Sequence, residues 1–187
     1  YHQLLERHNI RMLSITDNIH SDDMMDSDFL IFAFPTYHCA PSVSMISFIE
    51  RMPFFRRPIK AFVFTTYGLY SGNAIRIFAK LAKKKNIVTV SYSDYRAPAT
   101  DGTLLVPPFK FMYTYENGIQ KRIRYDIEQI EKLVYQDHSP EHIPSFKLYT
   151  LLNLPNKYLG KWYKPTIRIV EVHCIKCNKC INHCPHA

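Results

Sequence analysis

Cysteine is almost absent from the first 173 residues of this 187-residue chain, where Cys39 is its only occurrence. That excludes a disulfide-stapled scaffold for most of the protein. Long hydrophobic runs are missing as well. The longest, Phe29 to Phe34 and Ala61 to Phe64, are strand-sized, far short of the roughly 20 residues that span a bilayer, so no membrane partner is expected. No Gly-x-Gly-x-x-Gly is present to bind a nicotinamide dinucleotide. Nine histidines occur, yet none falls in a hydrolase or metallohydrolase pattern, and no nucleophile–base constellation argues for a separate catalytic activity. No secretory signal precedes the first apolar run, which with thiols in reduced form points to the cytoplasm. The chain starts at Tyr1, and Tyr1 to His8 reads as the tail of a helix begun earlier, so a chain truncated at its N-terminus is expected.

What is present is concentrated at the other end. Residues 174–187 read Cys174-Ile-Lys-Cys177-Asn-Lys-Cys180-Ile-Asn-His-Cys184-Pro185-His-Ala, the Cys-x2-Cys-x2-Cys-x3-Cys-Pro ligand run of an iron–sulfur cluster. Cysteines at consecutive three-residue steps can converge on one face of a cubane. Structural zinc prefers two Cys-x2-4-Cys knuckles separated by a longer loop, and disulfides between such close cysteines would be strained. Cys174, Cys177 and Cys180 are therefore the expected ligands of one 4Fe-4S cluster, and Cys184 a ligand as well. Lys176, Lys179, His173, His183 and His186 place positive charge beside this anionic group, and Asn178 tolerates left-handed backbone angles better than most residues.

The charge balance is basic, +8 from 24 Lys and Arg against 16 Asp and Glu. The cations fall in separate runs, Arg56-Arg57, Lys83 to Lys85, Lys121-Arg122-Arg124 and Lys157 to Arg168, of the kind that lie on solvated faces or close helices. A nucleic-acid footprint would require them on one face.

Between these features the pattern is α/β. Ile10 to Ile15 reads as a strand, and Asp28 to Phe34, nearly continuous in apolar residues, as a central strand covered on both faces. Ser42 can cap a helix through Met52, with Val43, Ile46, Ile49 and Met52 at helical spacing. A strand Ile59 to Thr65, a helix from about Ala74 to Lys85 and a strand Ile87 to Tyr92 follow, implying parallel βαβ units. Glu116-Asn117-Gly118 signals a hairpin, and Ile123, Ile127, Ile130 and Val134 a closing helix to about Gln136. This divides the chain into an α/β domain over 1–136, a linker over 137–165 that packs partly through Trp162, Tyr149 and Leu151, and a cluster module over 166–187 opened by a strand, Thr166 to Val172.

With both halves in view the chain resembles the flavodoxin–ferredoxin fusion proteins, in which a flavodoxin-like doubly wound sheet precedes a bacterial-type ferredoxin module. The resemblance rests on the cysteine run, on Asp28-Phe-Leu-Ile-Phe-Ala-Phe-Pro35-Thr36-Tyr37, and on Thr65-Thr-Tyr67-Gly68-Leu-Tyr70-Ser-Gly72-Asn73. It implies an electron carrier with a 4Fe-4S cluster, two in the intact protein, with redox proteins as partners and FMN held between loops at strand C-termini. Pro35, Thr36, Tyr37, Tyr67 and Tyr70 are nominated as flavin contacts, and Gly68, Gly72 and Asn73 as places where backbone amides approach the ring or ribityl chain. The first strand and the Ser/Thr/Gly-rich phosphate loop of that family have no counterpart, so this chain by itself is expected to bind FMN weakly or not at all. The ferredoxin motif also has no second cysteine run after Cys184, leaving open whether the first cluster's fourth iron takes a downstream cysteine, Cys184 itself or a non-protein ligand. Two other readings stand beside this one: a zinc-stabilised basic module binding nucleic acid, and the electron-input part of a flavin reductase.

Overall fold

The computed structural model describes residues 8–15, 26–99 and 113–153, together with Met24 and Ile175. The order is β1 (Phe29–Tyr37), β2 (Ala40–Pro41), α1 (Val43–Arg51), β3 (Ile59–Tyr67), α2 (Ala74–Lys83), β4 (Ile87–Arg96), α3 (Ile119–Tyr135) and a 3-10 turn at Leu148–Asn153. The sheet is open and mixed, ordered β2-β1-β3-β4. β1, β3 and β4 are parallel, as expected, whereas β2 runs antiparallel to β1 and pairs Thr36 with Pro41 and Tyr37 with Ala40.

That antiparallel edge corrects the expectation of a purely parallel sheet. His38 and Cys39 both take left-handed angles, φ 48° and 63°, forming a two-residue turn whose twist suits paired strands. The strand therefore continues through Pro35 and Thr36 to Tyr37 and folds back, where the sequence suggested an open loop.

Two further expectations fail for reasons of coverage. Ile10 to Ile15 forms no strand; Leu13 and Ile15 bury part of their surface against the core. The described residues do not cover β1 on both faces. Phe32 and Phe34 point into the core, but Ile31 and Ala33 on the opposite face are exposed. The strand buried on both sides is β3, with Ala61, Phe62, Val63 and Thr65 at 0–1% exposure.

The core lies between the sheet and helices α1 and α2. Ser42 caps α1 as its sequence predicts, its Oγ accepting from the Met45 amide at 3.2 Å, and the helix buries Met45 and Ile49. α2 buries Ala74, Ile75, Phe78, Ala79 and Ala82, and the chain leaves the turn after it through Asn86 at φ 64°, a left-handed exit that releases the next strand. On the other face lies α3. Its start replaces the expected hairpin: Gly118, at φ 74°, is the residue before the helix. Glu116 holds the chain there, accepting the Arg96 amide at 3.1 Å and pairing with Arg122 of α3. α3 ends before Gln136, as expected, and the half-buried Lys60 of β3 closes it, its Nζ donating to the carbonyls of Leu133, Val134 and Gln136 at 2.7, 3.1 and 2.7 Å. A cation at the negative end of a helix satisfies carbonyls that have no partner within it.

Residues after α3 run back along α2 and the edge of β4. Glu141 pairs with Lys83 at 2.5 Å, the Pro144 carbonyl accepts from Arg76 at 2.7 Å, and the His142 amide donates to Thr89 O at 2.7 Å. Trp162, the Thr166 to Val172 strand and the linker beyond 153 lie outside the described residues.

Thr89, buried in β4, has a side-chain hydroxyl with no hydrogen-bond partner among the described residues. A buried donor left unpaired carries its full desolvation cost. Thr89→Val keeps the shape and removes that group, so urea denaturation is expected to show a gain of about 1 kcal/mol. A loss of stability would show that the hydroxyl is paired after all.

Candidate cofactor-binding site

In an open α/β sheet, ligands bind beyond the carboxyl ends of the parallel strands. The two loops nominated from the sequence leave the sheet at that end side by side, because Pro35 of β1 and Thr66 of β3 are register partners. The two ends are fastened by polar contacts: Thr36 Oγ1 lies 2.8 Å from Thr65 Oγ1, and Thr65 Oγ1 donates to the Phe34 carbonyl at 2.8 Å.

A second fastening is steric. Gly72 has φ 57°, and a Cβ placed on it would lie 2.3 Å from Cys39 Cβ and 2.8 Å from Cys39 Sγ. The buried Cys39 of the β1–β2 turn thus seats directly on the Gly72 backbone. Gly72 is needed here for close approach, as the sequence suggested, but the neighbour it admits is Cys39.

The nominated aromatic residues divide into two groups. Tyr37 stands 56% exposed at the end of β1, and Tyr70 is exposed beyond β3, meeting the Tyr149 ring edge-on at 5.5 Å between centroids. Tyr67 is half-buried on the side facing β4 and α3. Burial raises its hydroxyl pKa, and the charges of Asp94 and Glu116 raise it further against the opposing Arg122 and Arg96. Pro35 is exposed, and Gly68 is half-buried.

Asn73 has its side chain committed. Its Oδ1 accepts the Lys147 amide at 2.8 Å, and its Nδ2 donates to Thr150 Oγ1 at 2.7 Å and to the Lys147 carbonyl at 3.3 Å. Next to it Ser71 Oγ donates to Asp94, while Lys147 Nζ donates to Ser71 Oγ at 3.1 Å and lies 3.5 Å from Asp94. Arg122 approaches the same carboxylate at 3.9 Å. Asp94 is therefore compensated by two cations. These contacts clamp residues 147–150 over the β3–α2 loop.

Sequence reasoning missed Ser71, Asp94, Lys147 and Thr150 as members of this loop system. Ser71 and Lys147 are 76 positions apart and belong to no motif, so only the fold brings them together. What the arrangement offers chemically is a pair of exposed tyrosine rings at the ends of adjacent parallel strands, on loops held rigid by Cys39–Gly72 and Asn73–Lys147. Flat apolar faces on a fixed support suit stacking against a planar heterocycle.

The nominated cluster ligands Cys174, Cys177, Cys180 and Cys184 lie outside the described residues. Among the described residues, no group of three or more His, Cys, Asp and Glu side chains converges as a metal site. No helix among them is long and apolar enough to cross a membrane. A scan against known protein-family models and a search of characterised proteins found no match to this chain.

Proposed function

We propose that this chain acts in electron transfer, with Cys174, Cys177 and Cys180 ligating a 4Fe-4S cluster and Cys184 as a cluster ligand as well. The observation that carries this reading is the Cys-x2-Cys-x2-Cys-x3-Cys-Pro spacing itself, which fits cubane ligation and suits zinc poorly. The protein takes up and passes on single electrons, exchanging them with redox partner proteins. Lysines and histidines beside the cysteines favour the reduced, more negative cluster.

The preceding domain is read as flavodoxin-like. This is supported by three adjacent parallel strands in the order β1-β3-β4 with helices on both faces, and by loops at their carboxyl ends that present Tyr37 and Tyr70. Those rings fit the flat part of FMN, and when bound the flavin would supply an exchange between one- and two-electron steps. The Ser/Thr/Gly-rich phosphate loop that flavodoxins place between their first strand and first helix has no counterpart in this sequence, so FMN affinity in this chain is expected to be low.

The test is anaerobic reconstitution with iron and sulfide. The expected product is brown, contains acid-labile sulfide, and loses both colour and sulfide when Cys177 is replaced by alanine. A colourless protein that takes up zinc with the same four cysteines would overturn the proposal. A tight, stoichiometric FMN complex in the same preparation would overturn the low-affinity expectation alone.

A further inference from the structure

Two of the basic runs that are separate in the sequence meet in the fold. α1 and α2 both end where parallel strands begin, so their C-termini lie together at the N-terminal edge of the sheet. The connection is direct: the Phe55 amide donates to the Lys85 carbonyl at 3.0 Å, Asn86 Nδ2 to the Phe55 carbonyl at 2.9 Å, and Lys85 Nζ to the Glu50 carbonyl at 2.7 Å. This edge therefore carries Arg51, Arg56, Arg57, Lys80 and Lys84, all exposed and none in an ion pair among the described residues, against the exposed carboxylates of Glu50, Asp26 and Asp28.

The helix dipole accounts for the cations of the last helical turns. It does not account for Arg56 and Arg57, which lie beyond α1, or for their neighbour Phe54, 64% exposed although the adjoining Phe55 is buried. Between the helix ends opens a shallow pocket of about 270 Å³ lined by Ile49, Leu81, Glu50, Lys84 and Lys85. A recess walled in part by Ile49 and Leu81 and a protruding phenyl ring, with cations in excess around them, match a surface that is anionic outside and hydrocarbon within.

We infer that this edge is a peripheral docking surface for an anionic lipid membrane, with Arg56, Arg57 and Lys84 on the headgroups and Phe54 entering the interface. Contact of this kind requires no membrane span. A redox protein is the poorer occupant, because nine-residue strands of about 30 Å separate this edge from the tyrosine loops. A nucleic acid would use the cations, but a single phenyl ring gives no platform for successive bases. Docked by this edge, the domain keeps its opposite end turned to solution. The inference does not depend on the identity of the cofactor.

The test is flotation of the full chain with vesicles of phosphatidylcholine alone and with roughly one-third phosphatidylserine. Binding is expected only to the anionic vesicles and should fall as salt rises. Arg56→Glu with Arg57→Glu should weaken it at least tenfold, and Phe54→Ala severalfold, with circular dichroism unchanged because all three side chains are exposed. The inference is overturned by absence of binding, by equal binding to neutral vesicles, by indifference to the double charge reversal, or by an oligonucleotide that binds more tightly and displaces the protein from vesicles.

Discussion

Truncating Phe78 to alanine is expected to lower the unfolding free energy by about 3–5 kcal/mol. Phe78 is fully buried on α2, and its ring packs against Phe32 at 4.9 Å and Phe34 at 5.0 Å between centroids, both tilted. These contacts join the helix to β1, the strand whose end carries Tyr37. Alanine would leave a cavity that two rings held in a strand cannot collapse to fill. Phe78→Leu retains most of the volume and should cost less than about 1.5 kcal/mol. Urea denaturation of both variants checks this; near-equal losses would mean that α2 moves inward to close the cavity and that the aromatic contacts, which both variants remove, carry the effect.

That triad was half legible in the sequence. The spacing of Ala74, Ile75, Phe78, Leu81 and Ala82 fixes the buried side of α2, because helical periodicity needs no knowledge of the partner. The run Phe29 to Phe34 was misleading, because uninterrupted apolarity suggests two covered faces while only the face of Phe32 and Phe34 meets described helices. Ile31 and Ala33 are equally apolar and remain exposed. Periodicity reports what a side chain prefers, not whether another element arrives to cover it.

Turns show the same division. Ser42 was readable as a cap because its hydroxyl acts three residues away. Glu116-Asn117-Gly118 was readable as a turn but not as the approach to a helix, since the outcome depends on Arg96 and Arg122 gripping Glu116. The His38-Cys39 turn carried no glycine signal at all, and its left-handed angles are imposed by the pairing of β2 with β1. In the candidate site, the placement of Tyr37 and Tyr67 at strand ends, and of Tyr70 and Gly72 just beyond β3, was legible because the apolar runs before them read as strands. The Asn73–Lys147 and Ser71–Asp94 contacts were not, being made across more than twenty sequence positions by residues with no motif.

Gly72→Ala should destabilise the protein by about 2–5 kcal/mol, combining the cost of a left-handed residue, about 1–2 kcal/mol, with overpacking of about 1–3 kcal/mol. The new Cβ meets Cys39 Cβ at 2.3 Å and its Cα at 2.8 Å, so rotation of the Cys39 side chain alone cannot relieve the clash. Cys39→Gly removes Cβ and Sγ and also suits φ 63° at that position; in the parent it should shift stability by no more than about 1 kcal/mol, lost burial offsetting relieved backbone strain. In the double variant the two effects should not add. A coupling above about 1 kcal/mol is expected, with rescue incomplete because the Cys39 Cα remains in place. Additive losses in the urea-denaturation cycle would show that Gly72 is required for its backbone angle alone. A measured coupling would make Cys39 the residue that sets the spacing between the Tyr37 and Tyr70 loops, a structural role that assigns no chemistry to its thiol.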